Sequence, residues 1–443
     1  MPNTYLYRTN SQSYNRKTWT FSAWIKRSMI DSANKHLYAT DTAANNFSRI
    51  YINGSNHLVY YDANGGSTAC YLETNRVLRD DNAWYHVMIV LDTTQSTADN
   101  RIKMYINGVQ ETSFAYRTNP SQDADLRMNI NTQHNLGKNG QNQTAEYWDG
   151  YMSHVHFIDG TAYDASAFGS TDSTTGEWQI NASPNVTYGT NGWFILKDGN
   201  SGTDQSPNSN NYTASGNLTK SEDNPSNVFA TLNANDNYYA SSSFSHGNLS
   251  ITTNSTKYAP TYSTLGASSG KYYAECKMTA GSSARIGIIS RPPEDTGATS
   301  SPGNDVYSVG YYSVHGTSYY DNSASTYGSS YTNGDIIGIA MDLDNNKLYF
   351  HKNGTYQNSG VPTSGSTGTG ALTIPTPYNG NFFHFAVSDQ HDSQDASFSW
   401  NFGNGYFGTT AVSSAGTNAS GLGIFEYDVP AGYTALCTKG LNE

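Results

Sequence analysis

Two carboxylates flanking a glycosidic bond would make this chain a glycan hydrolase, and a strand carrying both is a simple way to place them. The only Glu-x-Asp is Glu426-Tyr427-Asp428, and Val429-Pro430-Ala431 after it supplies no third acid. A turn before Pro430 is the competing reading. His154 and His156 stand two apart, so on a strand they share a face and form two corners of a metal site. A strand with a polar outer face has the same spacing, and no third ligand lies nearby. Aromatic side chains offer different chemistry: sugar C–H faces stack on Tyr and Trp rings while amides and acids read hydroxyls. Tyr147-Trp148-Asp149 precedes a predicted strand, and Tyr312, Tyr319 and Tyr320 flank a later loop. The chain holds 35 tyrosines, so most must be ordinary sheet residues. No phosphate-cradling Gly loop, G-x-S-x-G elbow or Cys/His pairing suggests a nucleophile.

The elements that must position these residues are strands. In residues 334–354, Ile337, Ile339, Met341 and Leu343 alternate with Ile336, Gly338, Ala340 and Asp342, the period-2 signature of a strand with two distinct faces. Asp344-Asn345-Asn346 makes a tight turn. Leu348 and Phe350 then point inward, Lys347, Tyr349 and His351 outward, and Asn353-Gly354 is a second hairpin turn. The first half repeats the phrase: Trp84 to Leu91 is a buried strand, Ile102, Met104 and Ile106 face inward before Asn107-Gly108, and Tyr51-Ile52 precedes Asn53-Gly54. Hairpins with one dry face need a second sheet to cover them, which predicts two β-sandwiches in tandem.

Composition agrees. At 443 residues two domains are expected, because one core seldom grows past ~250–300 residues. Charged residues are only 14%, against roughly 25% in an average soluble protein, so the polar surface must come from Ser, Thr, Asn, Gln and Gly. The net charge of −12 without a basic cluster argues against nucleic acid as a partner. No apolar run approaches the ~18–20 residues of a membrane helix. The first residues lack an apolar signal core, and Cys70, Cys276 and Cys437 are too few and too scattered for a disulfide framework. Together these suggest a protein made in a bacterial cytoplasm and carried out on a particle. Residues 1–196 read as the first unit, the polar stretch 197–226 as a linker or a surface-hugging loop, and 227–443 as the second unit with a C-terminal extension.

The second unit resembles the SPRY domain, a concanavalin-A-like jelly roll, through Gly270-Lys271-Tyr272-Tyr273-Ala274-Glu275, Ile286-Gly287-Ile288, Ser308-Val309-Gly310-Tyr311, the strand from Gly334 to Leu343, Phe350-His351-Lys352-Asn353-Gly354 and Phe385-Ala386-Val387. The first is similar to a laminin-G-like or concanavalin-A-like lectin module through Phe21-Ser22-Ala23-Trp24-Ile25, Trp84-Tyr85-His86-Val87, Tyr105-Ile106-Asn107-Gly108 and Asp149 to Gly160. The module order, the Phe229–Asn233 junction and the ending from Tyr427 to Thr438 resemble structural proteins of tailed, many of them marine, bacteriophages. This resemblance implies two all-antiparallel jelly rolls in a non-enzymatic virion surface protein, a tail fibre or similar appendage. Its partners would be other virion proteins, further copies of itself and a host-surface glycan or protein, with no membrane insertion. The alternatives are a capsid or tail decoration protein and a glycan depolymerase. By the same resemblance, laminin-G-like modules bind Ca2+ through loop acids, here Asp92, Asp99, Asp123 and Asp125, with no other cofactor implied. SPRY partners dock on rim loops, which points to Arg291, Glu294, Asp295, Asp305 and Tyr356.

Overall fold

The computed structural model describes residues 4–140, 145–197, 201–219, 221–236, 242–253, 260–291, 301–390 and 395–442. The fold is all-β, and the chain divides into two compact units, residues 1–220 and 221–443.

In the first unit, one sheet has eight strands in the order Phe114–Thr118, Ser67–Val77, His57–Asn64, Asn46–Ile52, Lys35–Ala43, Gln133–Leu136, Tyr5–Thr9 and Thr213–Ser215. The other has six, in the order Trp193–Ile195, Gly150–Asp159, Thr18–Arg27, Trp84–Asp92, Ile102–Ile106 and Val109–Gln110. Their facing sides interdigitate in one core: Trp19, Phe21, Ile89, Met104 and Phe157 from the six-stranded sheet, Leu6, Tyr38, Ile50, Tyr60 and Leu72 from the other. Asn107 and Gly108 take φ of 48° and 75°, the left-handed pair that a two-residue hairpin turn requires.

Within the polar stretch 197–226, residues 204–215 hug the first unit, the second of the two readings above. Thr213–Ser215 pairs antiparallel with Tyr5–Thr9, and Tyr212 lies in the first core against Trp193. Asp204 accepts from the Phe194 and Asn210 backbone amides, pinning this polar chain to the sandwich edge. Side-chain acceptors replace the apolar contacts that sequence reading looked for.

The second unit pairs a nine-stranded sheet, built around Lys271–Ala280, Ile336–Asp342, Lys347–Lys352 and Ser397–Asn401, with a six-stranded one. The latter runs Pro260–Tyr262, His384–Asp389, Ala284–Ile289, Ser308–Tyr312, Thr317–Tyr320 and Ser323–Thr326. Ile337, Ile339, Met341, Leu348 and Phe350 meet Ile286, Ile288, Val309, Tyr311 and Phe385 in its core. Asn353 and Gly354, at φ of 48° and 84°, close the second hairpin as expected.

Two expectations fail here. Tyr349 and His351 do not face solvent; they are 0% and 1% exposed. The C-terminal chain returns over that face, and Phe425, Val429, Tyr433, Ala435 and Cys437 form a second core with Phe229, Tyr273, Ala340 and Tyr349. Nor is the sheet wholly antiparallel: Thr434–Ala435 pairs parallel with Tyr272 and Tyr273. The first unit covers the outer face of its six-stranded sheet in a similar way, with Phe168 and Tyr188 over Met88, Val90, Tyr105 and Phe194.

Candidate functional site

The outer face of the eight-stranded sheet differs, because aromatic rings there stay half-exposed. Residues directly opposite in an antiparallel pair share a face. One such row reads Tyr7, Asn135, Ala39, Arg49, Tyr61, Tyr71 and Thr118, each in register with the next. Beside it run Tyr51, Val59, Glu73 and Tyr116. Alternation explains the placement, since Ile50, Ile52, Tyr60, Cys70 and Leu72 between them point into the core.

The rings of Phe47, Tyr61, Tyr71 and Tyr116 touch in series, edge to face, with centroids 4.8, 5.1 and 6.3 Å apart. Arg49 lies 3.7 Å over the Phe47 ring, and His36 stacks on Tyr51 at 4.8 Å. Polar groups are fixed among the rings: Tyr71 Oη donates to Glu73 Oε2 (2.8 Å) and Asn53 Nδ2 to Glu73 Oε1 (3.0 Å). Burial pushes the Tyr51 hydroxyl up to about 12 and pulls the His36 imidazole down to about 3, so both are neutral at pH 7. The strip therefore offers apolar ring faces flanked by hydroxyls and one fixed carboxylate. That arrangement suits stacking and hydroxyl reading rather than proton transfer.

The loop after Gln133–Leu136 crosses this face and carries part of the expected triplet. Tyr147 packs on Tyr5 (6.1 Å), and the Lys138 ammonium lies 4.6 Å over Tyr5 and 5.9 Å over Tyr147. Trp148 turns inward against the first core, with its backbone amide on the Gly137 carbonyl. Asp149 gives its carbonyl to the Ser28 amide, and burial raises its carboxyl. The triplet is thus split between surface and core.

In the second unit Tyr312 and Tyr319 do come together, edge to face at 5.7 Å, around an arginine the sequence reading missed. Arg285 Cζ lies 3.8 Å over Tyr319 and 5.7 Å over Tyr312, anchored by the Pro302 carbonyl and Asn304 Oδ1. Arg285 is only 5% exposed, so this cluster is mainly packing. Tyr320 stands 47% exposed and next to Tyr319 on the strand, so it faces the other way.

The remaining rim candidates scatter. Asp305 caps a turn, accepting from the Tyr307 amide and Ser308 Oγ. Arg291 lies over Tyr378 at 5.1 Å. Tyr356 is no rim residue: it packs edge-on against His351 and on the C-terminal core, its hydroxyl buried. Glu294 and Asp295 lie outside the described residues.

The acids proposed for a cation also separate. Asp92 accepts from Thr94 and Gln95, Asp99 from Arg117 and Asn119, and Asp123 pairs with Lys17 at 3.6 Å. Asp125 gives its carbonyl to Arg16. Among the described residues no group of three or more His, Cys, Asp or Glu could hold a metal. His154 and His156 are buried, not on a polar outer face; the strand bulges there, with His154 at φ 46°. His156 stacks 3.9 Å from Phe194 and bonds Tyr188 Oη through Nδ1. Glu426 accepts from the Ser413 amide and hydroxyl and Asp428 from those of Thr417, bonds that tie together two stretches of the C-terminal chain. Cys70, Cys276 and Cys437 are buried thiols outside any disulfide.

Residues 3–165 match the family model of the concanavalin A-like lectin/glucanases superfamily, and residues 271–380 match that of the SPRY domain. The chain therefore carries a concanavalin-A-like module followed by a SPRY domain, two β-sandwich folds of the binding type. No curated protein sequence matches it. Among solved structures it is similar to the SPRY domain of human HERC1, at 17% identity and TM-score 0.28, over 34% of this chain and 87% of that one. A second human SPRY domain is 18% identical, with TM-score 0.26, over 34% and 90%. The heptameric SAP-like pentraxin of Limulus polyphemus is 17% identical, with TM-score 0.26, over 36% and 71%.

Proposed function

We propose that this chain is a non-enzymatic recognition protein, a surface component of a phage virion, that binds host-surface glycans through the outer face of its eight-stranded sheet. One observation carries the glycan reading: Tyr61 and Tyr71 pair in register, half-buried, with the exposed Tyr116 ring next to them, on a sheet face, where the first unit's other sheet is roofed by its own chain. The ~4.8 Å strand spacing sets Tyr61 beside Tyr71, a step close to the length of one pyranose. The virion placement rests on the resemblance of the module order and C-terminal ending to phage structural proteins. Display in several copies would raise weak single-site affinity by roughly 10²–10⁴.

The test is a glycan array probed with the purified full chain. Retention on pyranose oligomers, without release of shorter sugars, is the expected result. Absence of any retained glycan would overturn the reading, and sugar release would replace it with a depolymerase.

A further inference from the structure

We propose that the ligand of the first unit carries an anionic sugar residue, and that Lys138 with Tyr5, Tyr7 and Tyr147 forms the subsite that reads its charge. This rests on the glycan reading above and names the ligand class.

Lys138 is 7% exposed, yet among the described residues no ion pair or hydrogen bond engages its ammonium; its contacts there are the faces of Tyr5 and Tyr147. A lysine buried to that degree is almost always paired with a carboxylate. The ammonium is not among the sealed polar atoms that lack a partner, so it keeps contact with solvent. The stem is buried, and the tip waits at the surface. Tyr5 and Tyr7, two apart on a strand, flank it on one face, with ring centroids 5.9 Å apart. All three tyrosines are half-buried, so their rings stay open to a ligand.

Tyr7 belongs to the same cross-strand row as Arg49, Tyr61 and Tyr71, with Asn135 and Ala39, both sealed at 0% exposed, between them. The lysine is thus a second, separate ring-lined position on the same sheet. A point charge between aromatic walls fits a pyranose whose ring stacks while its carboxylate or sulfate meets the ammonium. The chain's net charge of −12 makes an ammonium held only by rings the more specific.

The experiment is titration calorimetry of the full chain with three probes: an oligogalacturonate, its carboxyl-reduced neutral counterpart, and a sulfated dextran oligomer. The parent protein should bind a charged probe at least about tenfold more tightly than the neutral one, the scale of one charge-assisted hydrogen bond. Lys138→Met should erase that preference and leave neutral binding intact, while Lys138→Arg keeps it. Whichever charged probe is favoured identifies carboxylate or sulfate. Equal affinity of the parent for all three probes, or a preference surviving Lys138→Met, overturns the subsite alone. Binding of none of the three overturns the glycan reading with it, and neutral binding retained by Lys138→Met shows that the variant is folded.

Discussion

The two most informative single residues are a tyrosine on the first unit's surface and a glutamate sealed in the second. Tyr61 touches both Phe47 and Tyr71, so Tyr61→Ala should interrupt the aromatic strip while costing only about 1 kcal/mol of stability, the scale of a cross-strand pair. Thermal unfolding of the variant checks that figure. Glu275 is the opposite case. Its carboxylate accepts from the Glu426 and Tyr427 amides, Asn401 Nδ2 and Tyr273 Oη, all between 2.9 and 3.1 Å. The Gly354 amide donates to His351 Nδ1, which leaves the ring proton on Nε2 to donate to Tyr273 Oη, so a polarised chain ends on this one acid. Glu275→Gln puts an NH2 where only donors converge and should cost about 1–3 kcal/mol by denaturant unfolding. No change would mean the carboxylate does not fasten the C-terminal chain. The outward direction of Tyr51, Tyr61 and Tyr71 is legible in their alternation with core residues. Their meeting is not, because register between strands is fixed by turns and bulges.

At the level of elements, strand identities follow from local pattern, but what covers each sheet does not. The alternation in residues 336–351 correctly separates the two faces, yet one is dry on the sandwich core and the other dry under chain some eighty residues later in sequence. Nothing near Tyr349 records that Phe425 and Val429 will lie over it. Deleting this cover should therefore be severe: Phe425→Ala removes a side chain only 1% exposed and should cost about 3–5 kcal/mol, measured by denaturant unfolding. A cost below 1 kcal/mol would show the cover to be loosely applied. Residues 197–226 teach the converse. Their polarity reads as linker or surface loop, and Asp204 and the strand Thr213–Ser215 bind them by hydrogen bonds, which hydrophobic patterning does not register.

For the molecule as a whole, buried titratable groups make the two units differ in acid. Burial holds His36 and His86 down to about 3, His134 down to about 4 and His156 well below its ordinary value, all in the first unit. Their folded-state values are depressed, so the stability they contribute is present above about 6.5 and falls as pH drops toward the folded values. Each costs about 1.4 kcal/mol per pH unit while only the unfolded chain binds its proton. Asp62, raised by burial to about 6, works the other way, stabilising at low pH and losing that contribution as pH rises through 6. Glu111 and Asp149, also raised by burial, work with Asp62. The second unit sets His351 at about 3 and lowered His246 and His384 against Glu275, raised to about 7, so that this one acid counters its histidines over the whole window from pH 7 to 5. Calorimetry between pH 7 and 5 should show the transition of residues 1–220 falling faster than that of 221–443. Parallel behaviour would contradict this assignment. Two sandwiches, their order and their broad binding class were readable from sequence; the uncovered tyrosine face, on which the functional account depends, was not. It is tested most directly by titrating one pyranose oligomer that the parent retains into the full chain and into its Tyr61→Ala/Tyr71→Ala variant. The account predicts at least a tenfold loss of affinity, about 1.4 kcal/mol, with both unfolding transitions preserved. Unchanged affinity in the folded double variant would contradict it.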